Sequence, residues 1–217
     1  MSEHTEEIIQ TLSQVPAIPI VRSTSPEAAL WAAQTILSSG WNLVELTWTI
    51  PQANEVIAQL RKEFPKASIG VGSILSEAHY EAAQLAGGNW FVTPMLDEGL
   101  VQAVHNNGGV VIPGVLTPTE VYRGCLLGVP AMKVFPISSM GGVSYLKSLL
   151  EPFGHTVQQP LQLMVCGGIG LEDVAAYKQA GALSVGLGKA LVSNDILNRR
   201  DGDLLRSRLS ALQPVAI

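Results

Sequence analysis

Charge is scarce in this chain: Lys, Arg, Asp and Glu together make up 14% of its 217 residues. The net charge is −5 and no stretch gathers lysine and arginine, which speaks against nucleic acid as the main partner. Cysteine is rarer still. Cys125 and Cys166 are spaced neither for a metal site nor for a disulfide framework. His4, His79, His105 and His155 are scattered and match no ligand spacing, so neither a metal, another cofactor nor a catalytic histidine is expected. His79 and His105 read as ordinary helix residues. No apolar run approaches the length of a membrane span. Met1–Gln10 is polar and acidic where a secretory leader would be basic and then apolar. No low-complexity segment or linker interrupts the sequence, so residues 1–217 are expected to form one domain of a soluble, cytoplasmic protein.

What the chain has is apolar material, 47% of its residues, enough for a large core, and a repeating pattern. A lead-in helix is expected over Ser2–Gln14, with Ile8, Ile9 and Leu12 at helical spacing. Strands are then expected at Ala17–Arg22, Asn42–Thr47, Ser68–Val71, Asn89–Thr93, Gly109–Ile112, Ala131–Phe135, Leu161–Cys166 and Leu183–Val185. A helical run follows each: Ala28–Ser38, Gln52–Glu63, Ser76–Ala86, Asp97–Asn106, Thr117–Leu127, Val143–Leu150, Leu171–Gln179 and Lys189–Asn194. A last helix over Gly202–Leu212 closes the chain. Local chemistry marks several starts and stops. Ser25–Pro26–Glu27 offers an N-cap, a first-turn proline and an acidic first turn; Gly40 suits a helix end; Thr117–Pro118–Thr119–Glu120 is a capping box. Strands that alternate with helices pair in parallel. Eight such units at this length favour a (β/α)₈ barrel over an open doubly wound sheet.

Against that apolar background two charges stand out. Lys133 interrupts Ala131–Met132–Lys133–Val134–Phe135–Pro136, sharing a strand face with Ala131 and Phe135. Enclosure in an apolar wall disfavours an ammonium, and a neutral amine is what attack on a ketone requires, so the position suits a Schiff-base nucleophile. The alternative is an edge-strand lysine that reaches out to solvent. Glu45 lies inside the second strand on the face of Leu43 and Thr47. A buried carboxylate is either paired or chemical; an ion pair with Lys133 or Arg22 is the structural option, and proton transfer beside a nucleophile the functional one.

Barrels place their chemistry at the C-terminal ends of the strands. Arg22, Thr47, Ser73, Thr93–Pro94, Pro113–Gly114 and Lys133 all fall there. The loops after the last two strands carry Cys166–Gly167–Gly168–Ile169–Gly170 and Gly186–Leu187–Gly188–Lys189, the place and composition of a phosphate cradle. Gly167, Gly168 and Gly188 would bring backbone N–H groups to the anion. Lys189 would add a cation at the start of a helix, unless it is merely solvated. Cys166 reads as a small core or loop residue.

Val44–Glu45–Leu46–Thr47, Gly70–Val71–Gly72–Ser73, Val92–Thr93–Pro94, Ile112–Pro113–Gly114, Lys133–Val134–Phe135–Pro136 and Gly167–Gly168–Ile169 together resemble, in order and spacing over nearly the whole chain, the class I KDPG/KHG aldolases. These act on 2-keto-3-deoxy-6-phosphogluconate and 4-hydroxy-2-oxoglutarate. The resemblance implies a (β/α)₈ barrel, usually a homotrimer, that cleaves a keto acid to pyruvate and an aldehyde without a metal, with a place in the Entner–Doudoroff pathway. It implies Lys133 as the Schiff-base lysine and Glu45 as the proton-transfer residue. Arg22 would hold the pyruvate carboxylate, and Thr47, Ser73, Thr93, Pro94, Phe135 and Cys166 would line the substrate. Gly167, Gly168, Gly188 and Lys189 would bind phosphate. The chain departs from the family pattern in four places: Thr47–Trp48–Thr49 stands where other members carry an arginine after the glutamate, which favours the branch relying on Arg22; Ser73 stands where threonine is common, Cys166 where threonine usually precedes the glycines, and Lys189 where serine is frequent. The phosphogluconate substrate is expected first, with the phosphogalactonate and the unphosphorylated hydroxy-keto acid as alternatives. A sugar-acid phosphate binder on the same barrel is the non-enzymatic alternative.

Overall fold

The computed structural model describes residues 2–153 and 161–212, so His155 lies outside the described residues. Nine strand segments form one all-parallel sheet: β1 (Ile18–Val21), β2 (Leu43–Thr47), β3 (Ser68–Gly72), β4 (Trp90–Val92), β5 (Val111–Ile112), β6 (Gly114–Val115), β7 (Met132–Val134), β8 (Leu163–Cys166) and β9 (Ser184–Leu187). Their order is β5-β4-β3-β2-β1-β9-β8-β7-β6. The outermost two, β5 and β6, are pieces of one extended stretch divided at Pro113, which has no N–H to give to the ladder. One piece pairs with β4 and the other with β7, so the sheet closes on itself as an eight-stranded barrel. Pro113 still accepts, at 2.8 Å, from the N–H of Lys133.

Helices alternate with the strands: α1 (Glu3–Gln14), α2 (Pro26–Ser38), α3 (Ala53–Glu63), α4 (Glu77–Leu85), α5 (Glu98–Asn106), α6 (Pro118–Leu126), α7 (Val143–Leu150), α8 (Val174–Gln179), α9 (Asn194–Arg199) and α10 (Gly202–Leu212). The expected caps form. Ser25 accepts from the Ala28 N–H at 3.1 Å, and Thr117 and Glu120 close a reciprocal box. None of the described helices is long and apolar enough to cross a membrane.

Most strand ends lie a residue or two from expectation, and three differences bear on the C-terminal end of the barrel. Phe135 lies just beyond β7, because the chain turns before Pro136. Helix α8 starts at Val174 instead of Leu171. The stretch expected as a helix over Lys189–Asn194 is a turn, and the helix begins where that one was to end. The N–H groups of Leu191 and Val192 bond back to the Gly188 carbonyl, and the Ser193 hydroxyl caps α9 by accepting from Ile196. Leu191 and Val192 are buried by this turn, and a helix through them would lose the Ser193 cap.

Period-2 alternation sorts the strand residues into two cores. Val44, Leu46, Met132, Val134, Val165, Val185 and Leu187 face the helices. Ile18, Ile20, Leu43, Trp90, Val92, Ile112, Ala131, Met164 and Cys166 fill the barrel. Ile8 and Leu12 of α1 join the inner set beside Val110, Ala131 and Leu183 near the strand starts, so α1 plugs the N-terminal mouth. Lys178 fastens the plug, donating from Nζ to the carbonyls of Ser13 (3.2 Å) and Leu183 (2.6 Å). With that end sealed by apolar side chains, the barrel is open to solutes at the C-terminal end. Leu12→Ala is expected to cost about 2–5 kcal/mol in chemical denaturation, the range for a truncated core leucine, with Ile9→Ala costing clearly less. Equal small losses at both positions would show that α1 seals nothing.

Candidate active site

Inner-face alternation carries Glu45 and Lys133 into the barrel. Glu45 is 1% exposed and Lys133 8%. The sequence left open whether Glu45 belongs to a structural ion pair, and the geometry answers that. The ion pairs among the described residues, Arg199–Asp195 and Arg206–Asp203, lie on α9 and α10. Glu45 is therefore within bonding distance of neither Lys133 nor Arg22, and its Oε2 has no hydrogen-bond partner although it is fully enclosed. Burial pushes the Glu45 carboxyl above the usual carboxylate range, while the nearby charges of Lys133 and Arg22 pull it part of the way back. Three charged groups thus feel one another across a gap without closing it. Such an arrangement leaves the carboxyl able to give and take a proton, and the amine able to reach a ligand.

The seat of Glu45 is provided by the next strand. A Cβ built on Gly72 would stand 2.1 Å from Glu45 Oε1 and 2.9 Å from its carboxyl carbon, so the carboxyl occupies the space that any side chain there would need. Lys133 Nζ lies 4.9 Å from the centre of the Phe135 ring, a cation–π contact. Phe135 itself is 38% exposed.

A cavity of about 890 Å³ opens at this end of the barrel. Of the residues expected from sequence, Arg22, Phe135, Cys166, Gly167, Gly168, Gly188 and Lys189 line it. Glu45 and Lys133 are enclosed in the barrel wall, and Lys133 contacts Phe135, which lines the cavity. Arg22 is exposed and its guanidinium donates to Ser73 Oγ at 3.4 Å, which draws Ser73 to the rim. Burial pushes the Cys166 thiol up, against the pull of Lys133, so this wall presents a neutral, soft surface. Among the described residues, the N–H groups of Gly168, Ile169, Lys189 and Ala190 have no backbone acceptor, and all four residues line the cavity. Gly167 and Gly168 hold φ of 104° and 78°, values open to glycine, which is how the loop turns so sharply.

Thr47, Thr93 and Pro94 are not brought to the cavity wall. The Thr93 hydroxyl donates to the Met95 carbonyl and accepts from the Gly114 N–H, bracing the strand end near Pro113. The Thr47 hydroxyl is 2.9 Å from that of Thr49, and it is Thr49 that lines the cavity. Ser23, Thr24, Asn194 and Asn198 also line it and were missed. The Ser193 cap was the available signal for the two asparagines, since a helix begun there puts positions 194 and 198 on one face. No group of three or more His, Cys, Asp or Glu able to hold a metal occurs among the described residues.

A family profile described as KDPG and KHG aldolase matches residues 8–207. The 2-dehydro-3-deoxy-phosphogluconate aldolase of Haemophilus influenzae is 30% identical, the alignment covering 82% of this chain and 81% of that protein. The 2-dehydro-3-deoxy-6-phosphogalactonate aldolase of Escherichia coli K12 is 29% identical over 84% of this chain and 87% of its own. Among solved structures, the KDPG aldolase of Legionella pneumophila, captured with pyruvate as a covalent carbinolamine, superposes with a TM-score of 0.86. It is 23% identical and covers 95% of this chain and 98% of its own, a likeness of fold.

If Glu45 fills the space above Gly72, the two positions are energetically coupled. Gly72→Ala is expected to destabilise by about 1–3 kcal/mol, as overpacking does. Adding Glu45→Asp, whose carboxyl is drawn back by one methylene, should recover part of that loss, giving a coupling of roughly 0.5–3 kcal/mol in a denaturation cycle. Strict additivity would mean that something other than Glu45 is displaced.

Proposed function

We propose that this chain, which belongs to the KDPG and KHG aldolase family, is a class I aldolase that cleaves 2-keto-3-deoxy-6-phosphogluconate reversibly to pyruvate and glyceraldehyde 3-phosphate. The observation that carries the reading is the enclosed pair of Glu45 and Lys133, unpaired with each other beside a cavity edged by the Arg22 guanidinium and open backbone N–H groups.

In this mechanism Lys133 Nζ attacks C2 of the keto acid, whose carboxylate is held by Arg22. The carbinolamine loses water to a protonated imine. Glu45 accepts the proton of the C4 hydroxyl, the C3–C4 bond breaks, and its electron pair passes into the imine to give an enamine. The aldehyde leaves, C3 of the enamine takes a proton, and water hydrolyses the imine to release pyruvate. The raised affinity of Glu45 for a proton suits it to both directions of transfer. Phe135 shields one side of the imine. Gly167, Gly168 and Gly188, with Lys189 beside them, receive the phosphate; the uncommitted N–H groups of that loop pair support this assignment. The N–H groups and the Lys189 side chain carry the anion here, because Lys189 sits in a turn and not at a helix start. Thr47, Ser73, Thr93 and Pro94 stand at the strand ends behind the lining residues, with the Thr47 hydroxyl beside Thr49 and Ser73 accepting from Arg22. We read the enzyme as cytoplasmic and homotrimeric, working in the Entner–Doudoroff pathway. The family resemblance supports the trimer, as do the exposed apolar side chains Leu85, Tyr122 and Leu126.

The test is pyruvate release by the purified protein from the phosphogluconate, phosphogalactonate and unphosphorylated hydroxyglutarate keto acids. The phosphogluconate derivative is expected to give the highest kcat/KM. Glu45→Gln should lower kcat by ~10²-fold or more, the usual scale of acid–base catalysis. Binding of these compounds without pyruvate release from any of them would replace the enzyme with a sugar-acid phosphate sensor.

A further inference from the structure

Helix α10 buries Leu205, Leu209 and Leu212 in the outer core, and Arg208 falls on the same stripe, one turn after Leu205 and one before Leu212. A charge on a core-facing stripe calls for a partner. Arg199 and Arg206 pair with Asp195 and Asp203 on the surface. Arg208 is partly buried and pairs with no carboxylate among the described residues. Its guanidinium Nη1 donates instead to two backbone carbonyls, those of Ala190 at 3.0 Å and Leu191 at 3.3 Å. Both belong to the turn after β9, and Leu191 and Val192 of that turn share the core of the α10 leucines.

From these carbonyls the hydrogen bonds continue to the cavity. The peptide that presents the Ala190 carbonyl carries the Leu191 N–H at its other end, and the Leu191 carbonyl is joined in the same way to the Val192 N–H. Both N–H groups donate to the Gly188 carbonyl, at 3.0 and 2.8 Å. The Gly188 peptide ends in the Lys189 N–H, which has no backbone acceptor among the described residues and belongs to a cavity-lining residue. Two series of peptides thus run from the guanidinium and merge at one open donor. In each peptide the carbonyl faces Arg208 and the N–H faces away from it, and hydrogen bonds in series polarise one another. A neutral donor could tie the turn; a cation without a carboxylate partner suits a site that receives an anion. We infer that Arg208, which does not line the cavity itself, is a positioning residue for the substrate phosphate: from behind the turn it fixes the Lys189 N–H and strengthens it as a donor. The inference rests on the aldolase reading above and on its assignment of the phosphate to the glycine loops.

The test compares pyruvate release from 2-keto-3-deoxy-6-phosphogluconate and from 2-keto-3-deoxygluconate, the same compound without its phosphate. Wild type is expected to favour the phosphorylated compound. In Arg208→Ala the ratio of the two kcat/KM values should fall about tenfold, the scale of one hydrogen bond to a charged group. The fall should come from a higher KM for the phosphorylated compound at unchanged kcat, because the phosphate is remote from the breaking bond. Arg208→Lys keeps a cation and a donor, so its ratio should fall less. Should Arg208→Ala not fold, Arg208→Gln gives the same readout, a lowered ratio in a chain whose turn still has a neutral donor. Because each ratio is taken within one variant, general loss of folded protein does not move it. An unchanged ratio in the neutral variants, or a fall carried by kcat alone, overturns the positioning role. A wild type that cleaves both compounds equally well overturns the phosphate assignment and this inference with it. A wild type that releases pyruvate from neither overturns the aldolase reading itself.

Discussion

The rest of the structure depends on a separation: a carboxyl and an amine, both shut inside a barrel, are kept close enough to feel each other and too far apart to bond. Two such groups in contact would satisfy one another and become inert. Here Glu45 is enclosed with one oxygen unpartnered and Lys133 has no carboxylate in bonding range. Folding raises the affinity of Glu45 for a proton, so its contribution to stability is full below the ordinary carboxylate pKa and is lost as pH rises through the raised value. A group carrying that penalty through neutral pH makes sense where the gap between the charges is filled by something that reacts.

The barrel supplies what such a gap requires. Its inner apolar layer, from Leu43 and Trp90 to Met164, excludes water from below, and α1 closes the far mouth. Gly72 leaves its side-chain space to the Glu45 carboxyl, while β6 and β8, registered on either side of β7, fix the height of Lys133. The cavity above is lined by loops after β1, β2, β7, β8 and β9, whose lengths and side chains are free to vary without disturbing the strands. Strands thus hold the enclosed Glu45 and Lys133, while the loops after them line most of the cavity above.

The strand-helix alternation, the lead-in helix, the caps at Ser25 and Thr117 and the strand faces that Glu45 and Lys133 share with Leu43 and Ala131 were legible in sequence, because each rests on a short-range rule. The alternation of Leu43, Glu45 and Thr47 against Val44 and Leu46 fixes their faces as soon as the strand is granted. What could not be read depends on contacts between segments distant in the chain. Whether Glu45 bonds Lys133 is decided by strands two and six positions along the barrel, and Thr93 turned out to brace the Pro113 break. The segment after Gly188 was misread for a different reason. Its apolar Leu191 and Val192 suit a helix, but Ser193 is a stronger start signal, and moving the helix by one turn hid Asn194 and Asn198 from view.

Lys133 as the nucleophile is tested most directly by trapping. Incubation with pyruvate and borohydride, followed by peptide mass spectrometry, should place a reduced pyruvyl adduct on the peptide carrying Lys133 and on no other. An adduct on a different lysine, or a protein that turns over its substrate while forming none, would contradict the account.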